Sequence, residues 1–145
     1  MPMIEVSDLR KRFKARIEQI KRESAERRTR IDAATRAYDA FLDDVATPVF
    51  RMFASVIKAE GYPFAVNTPG GGLRLASERS AEDYIELFLD VTVDPPIAAA
   101  RINRGRGRRL VNMERPIREG AAVEQLTDED VVTLLLEEIG PFIER

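Results

Sequence analysis

Three stretches of this chain carry residue types whose spacing could support chemistry. The first is RINRGRGRR at residues 101–109, with five arginines in nine positions. A guanidinium is a planar, permanently charged fork that matches the oxygens of phosphate or carboxylate, so such a tip is suited to gripping an anion. Arg104, Arg106, Arg108 and Arg109 have no acidic neighbour in sequence between Asp94 and Glu114. The plainer reading is a hairpin connection in which Gly105 and Gly107 supply positive φ and the arginines stand in water. The alternative is a nucleic-acid contact through residues 104–109. Against that alternative, the segment lacks the aromatic side chains that stack on single-stranded bases, and no helix presents it to a groove.

The second stretch places Glu86, Asp90 and Asp94 at the same parity of one predicted strand, where carboxylates would bind a hard cation or act as an acid/base pair. Successive Cα atoms would stand about 13 Å apart at strand rise, too far to build a site from one segment, so a structural role is expected. The third, TPGGGLRL, has the glycines of a phosphate cradle. No Gly-Lys-Ser/Thr follows and no helix opens there, so a hairpin turn is expected.

Composition narrows the classes further. Among 145 residues there are 23 basic and 25 acidic side chains, a formal net charge of −2, so any basic surface must be local. The absence of cysteine and of histidine removes disulfides, thiolate nucleophiles, the commonest zinc ligands and the commonest general base near neutral pH. A non-enzymatic protein without metal or cofactor is therefore expected. The N-terminal residues do not read as a signal peptide, and no apolar run reaches the ~18 residues of a membrane span, which points to a cytoplasmic location.

The elements that must position these stretches begin with a long helix. Residues 7–46 contain neither glycine nor proline, with Ser7 as a plausible N-cap. Roughly 40 helical residues would extend about 60 Å. Phe13, Ile17, Ile20, Ser24, Arg27, Ile31, Ala34, Tyr38, Phe41 and Val45 follow the alternating fours and threes of a heptad seam, polar only at Ser24 and Arg27. Such a helix overhangs a small head, so its seam needs cover from a second copy or from a fold-back near Pro48. The dimer is the expectation, with Phe13, Ile17, Ile20, Ile31, Ala34, Tyr38, Phe41 and Val45 as contacts. The first thirty residues hold ten lysines and arginines, but Asp8/Arg12, Glu18/Arg22, Glu23/Arg27, Glu26/Arg30 and Asp32/Arg36 have the acid-before-base spacing that favours local pairing.

Thr47 before Pro48 suggests a fresh helix start, or at least a kink, with the helix closed at Gly61. The period then shortens to two over residues 62–67, 73–77, 84–93, 97–103 and 109–115, which predicts strands. Thr127 with Asp130 resembles a capping box opening a last helix, which Gly140 and Pro141 should bend or end. In both shorter helices the apolar arc is wider than one packing face requires. The predicted architecture is α+β: a coiled-coil-like segment over residues 1–46, then a head over residues 47–145. The head would comprise a short helix, an antiparallel meander of four to five strands and a C-terminal helix packed on the sheet. The expected function is a homodimeric protein-interaction or scaffold module whose head binds an unidentified protein partner.

Overall fold

The computed structural model describes residues 3–144. The chain is α+β, with a long N-terminal helical rod, a five-stranded antiparallel sheet and a C-terminal helix. Helix α1 spans Val6–Phe41, a π-helical turn spans Leu42–Ala46, and α2 spans Thr47–Ala59. Right-handed helical dihedrals persist across both junctions, so the three segments form one rod about 80 Å long.

The break expected at Thr47 takes the form of the π-helical turn just before it, not of a fresh start. Thr47 is itself helical, at φ −63° and ψ −47°, and its N–H donates to the Leu42 carbonyl five residues back. Pro48 lacks an N–H, and in a regular α-helix its ring crowds the carbonyl four residues earlier. Widening the preceding turn to the π form relieves that crowding, and the rod continues. The N-terminus moves as well. Helix α1 begins at Val6 behind Glu5 with no side-chain cap, leaving Ser7 inside the first turn. The rod ends where expected: Gly61 adopts φ +98°, its N–H donates to the Lys58 carbonyl at 3.0 Å, and the Tyr62 N–H donates to the Ile57 carbonyl at 2.9 Å. These two bonds satisfy carbonyls that the helix end would otherwise leave open.

The strands are β1 (Phe64–Asn67), β2 (Leu73–Ser77), β3 (Tyr84–Asp90), β4 (Ile97–Arg106) and β5 (Arg109–Pro116), paired antiparallel in sequence order. Strand periodicity turns Leu73, Leu75, Ile85, Leu87, Ala98, Ala100 and Ile102 to one buried face. Val49, Phe50, Ala54 and Ile57 of α2 join that core, with Val131, Leu134, Leu135, Ile139 and Phe142 of α3 (Asp128–Ile143). Tyr38, Phe41 and Leu42 extend the core into the rod.

Several boundaries differ from the sequence reading: β1 starts at Phe64 rather than residue 62, and β4 runs to Arg106 rather than residue 103. Strand β3 stops at Asp90 rather than residue 93, because the Asp90 carboxylate turns back to accept the Thr92 N–H at 2.9 Å and peels the chain from the sheet. Helix α3 runs through Gly140 and Pro141 to Ile143. Phe142, packed edge-on against Phe64 with centroids 5.9 Å apart, anchors that final turn. The expected capping box is present, with the Thr127 hydroxyl accepting the Asp130 N–H and the Asp130 carboxylate accepting the Thr127 N–H. The surplus apolar arc is left uncovered within the chain: Met52 and Val56 of α2 and Leu136 of α3 are exposed.

The rod lies along the strands. Arg27 and Arg30 reach Val91 and Asp94, just beyond β3, whereas Lys58 reaches Glu78, just beyond β2 at the opposite end of the sheet. The free part of α1 therefore leaves from the β3–β4 end, and the β4–β5 hairpin points the other way.

Candidate functional site

The predicted seam divides at its polar interruption. On the N-terminal side, Phe13 and Ile20 are exposed and Ile17 is half-buried, with Val6 and Leu9 also exposed beside them. On the C-terminal side, Ala34, Tyr38 and Phe41 are buried, and Ile31 and Val45 are partly covered. Arg27, one of the two polar seam residues, donates to the Val91 carbonyl at 3.1 Å and so marks the joint where the stalk meets the head. Arg30 makes a two-pronged contact with Asp94, at 2.8 and 2.7 Å. The expected acid-before-base pairing along α1 does not form: among the described residues none of those five pairs closes into an ion pair. Arg27 and Arg30 have been drawn to the head instead.

The arginine segment forms the β4–β5 hairpin. Arg106 and Arg109 are register partners, joined by Gly107 at φ +64° and Arg108 at negative φ, the pattern of a type II′ connection. The β3–β4 register ends at Tyr84 opposite Asn103, so the last three pairs of the hairpin form a two-stranded ribbon extending about 10 Å beyond β3. Its base is fixed by the Gly105 N–H donating to Asp83 Oδ1 at 2.9 Å and by Asn103 Nδ2 donating to the Glu82 carbonyl at 2.7 Å. Arg106, Arg108 and Arg109 are exposed and Arg104 is half-buried. Among the described residues none of the four makes an ion pair.

The carboxylates of the predicted strand are dispersed, and each has a structural partner. Glu86 meets Arg74 at 3.1 Å and Arg101 at 3.5 Å, and Arg101 continues to Glu114 at 3.7 Å. Since Arg74, Glu86, Arg101 and Glu114 are direct register partners, they form a row of alternating charge across four strands on the face opposite the apolar core residues. Arg74 also stacks over the Tyr84 ring at 4.0 Å and Arg101 over Phe88 at 4.5 Å. Hydrogen bonds from Thr92 hold Asp90 below the usual carboxylate range, and the Arg30 contact does the same to Asp94. Both shifts move away from the near-neutral value that suits a general acid. Sequence reading missed this row because parity places residues on a face, but only the pairing register makes them neighbours.

The TPGGG segment is a tight 3₁₀ turn between β1 and β2, with Gly70 and Gly71 at positive φ. A surface groove of about 610 Å³ lies between Ala33 and Ala34 of the rod, residues 93–97 and residues 119–125. Of the three acids that line it, Asp94 is engaged by Arg30, and Glu119 and Glu124 are exposed. Among the described residues no group of three or more acidic side chains is arranged to hold a metal ion, and no helix is long and apolar enough to cross a membrane. The chain matches no protein-family model, no curated protein and no solved structure.

Proposed function

We propose that the chain is a non-enzymatic homodimeric interaction module, joined through the free stalk of α1 and presenting its head to a protein partner. The observation that carries this reading is the stalk itself. Its first twenty or so residues extend about 30 Å beyond the Arg27 joint, with Leu9, Phe13 and Ile20 exposed along one stripe. A solitary helix of that length is marginal in water, and its stripe gains most by packing against an identical stripe. In the head, Met52 and Val56 stand exposed one turn apart on α2, and that face is assigned to the protein partner.

Light scattering after size exclusion tests the dimer. The full chain should elute with about twice its 16.4 kDa mass, and the Ile17→Lys, Ile20→Lys double variant at the monomer mass with unchanged helix content. A truncation at residue 47 is unsuitable, since it would also remove Tyr38, Phe41 and Leu42 from the core. A monomeric wild-type chain at high micromolar concentration would sink the reading.

A further inference from the structure

We infer that the β4–β5 hairpin is a second, independent site, a rigid arginine ribbon that grips the phosphate backbone of duplex DNA. The evidence is the contrast between the two ends of one strand. At one position of β4, Arg101 sits between Glu86 and Glu114 in the alternating row; five residues on, Arg106 faces Arg109. Direct cross-strand partners hold their Cβ atoms about 5 Å apart, where like charges destabilise a sheet. Elsewhere in the head Arg74, Arg101, Arg115 and Arg118 have carboxylate partners, and the arginines without an ion pair among the described residues, Arg51 and Arg79, stand singly rather than in a cluster. An uncompensated cluster on a ribbon whose base is pinned by Asp83 and Asn103 is poised for an anion from outside.

Geometry selects the kind of anion. Arg104, Arg106 and Arg109 share one face of the ribbon by register, with Arg108 at the turn. Glu82, whose carboxylate would meet a side chain placed at Gly105, lies on the opposite face. Across a cleft from Arg104 and Arg106 stand Pro141 and Glu144, with no ion pair formed among the described residues. A two-stranded ribbon fits the B-DNA major groove, about 12 Å wide, where guanidinium forks reach the flanking phosphates. The tip has no aromatic residue on which unpaired bases would stack, which disfavours single strands.

The test is fluorescence anisotropy of a labelled duplex DNA titrated with the full-length protein at a series of salt concentrations. Four phosphate contacts per hairpin predict a slope of log affinity against log salt near −3.6, or about 150-fold weaker binding between about 50 and 200 mM. Replacing Arg104, Arg106, Arg108 and Arg109 together by serine should abolish binding. The single Arg108→Ser variant, which disturbs no strand pair, should lower the slope by about 0.9 and decides the matter should the quadruple variant misfold. No binding by the wild-type chain at low salt, or a slope unaffected by these substitutions, overturns the assignment. Tighter binding of labelled polyglutamate than of the duplex also overturns it, in favour of an acidic protein. Because the stalk lies at the other end of the sheet, the Ile17→Lys, Ile20→Lys variant should keep the salt slope per hairpin, so the failure of one proposal is distinguishable from the failure of the other.

Discussion

Tyr38 offers a test of how the rod is seated in the head. The residue is 7% exposed, its ring packs at 6.4 Å from Phe41, and its hydroxyl has no hydrogen-bond partner among the described residues. Tyr38→Phe keeps the ring and removes only the stranded polar group. An unpaired buried hydroxyl costs about 1–3 kcal/mol, so the variant should be more stable by about 1–2 kcal/mol. Unfolding entropy of about 2.1 cal/mol/K per residue makes each 1 kcal/mol worth about 3 °C of Tm in a chain of this size. Urea and thermal unfolding at one fixed protein concentration would measure the shift, since the proposed dimerisation would make stability concentration-dependent.

The advantage of the variant should also depend on pH. Burial, reinforced by the charges of Glu86 and Asp39, pushes the Tyr38 phenol above its ordinary value of 10.0. Its neutral form is thus favoured by folding, a contribution fully present below about pH 10 and lost as pH rises toward the elevated folded value. Above pH 10 the wild-type chain should lose up to about 1.4 kcal/mol per pH unit relative to Tyr38→Phe. A variant that is less stable at neutral pH, or a gap that stays flat through the alkaline range, would show that the hydroxyl is satisfied or wet and that the reasoning is wrong.

Three further outcomes are expected. Glu86→Ala removes the carboxylate between Arg74 and Arg101, only 14% exposed itself, and should cost about 1–3 kcal/mol in urea unfolding while Glu114→Ala costs much less. Gly107→Ala forces a side chain onto φ +64° and should destabilise by about 1 kcal/mol, whereas Gly105→Ala meets only the mobile end of Glu82 and should be milder. Asp94→Asn should lower stability slightly near neutral pH, and the deficit should vanish as acid titrates the wild-type carboxylate through a pKa depressed below 3.8; pH-resolved thermal unfolding of both proteins checks it.

Local order was legible wherever one residue dictates its own backbone. The Gly61 helix end, the Thr127–Asp130 box and the turn glycines Gly70, Gly71 and Gly107 follow from φ preferences and short-range hydrogen bonds and appear where residue types placed them, whereas Gly105, expected at positive φ, lies inside β4 without it. The alternating apolar residues of β2 and β3 likewise identified the buried sheet face, because strand periodicity needs no knowledge of the partner strand. Thr47–Pro48 misled because a proline signals a helix start only if the preceding turn stays α-helical; a π turn removes the conflict, and nothing local announces it.

Partnership between distant groups belonged to the tertiary structure alone. The arginines of α1 have acids at favourable spacing, yet Arg30 chooses Asp94, 64 residues away, because the packed head holds that carboxylate in place. The heptad seam runs from Phe13 to Val45 with a polar interruption at Ser24 and Arg27, and folding gives its two halves different fates, burying Ala34, Tyr38 and Phe41 in the head and leaving Phe13 and Ile20 in water. Glu86 became the centre of an ion-pair row and Arg106 the partner of another arginine through strand register, a property of pairs of segments rather than of either one. Residue order by itself determined helices, strands, turns and the absence of histidine and cysteine chemistry, because those depend on neighbours along the chain. Which charges are satisfied and which apolar stripe stays free depended on distances that exist only once the rod lies along the sheet.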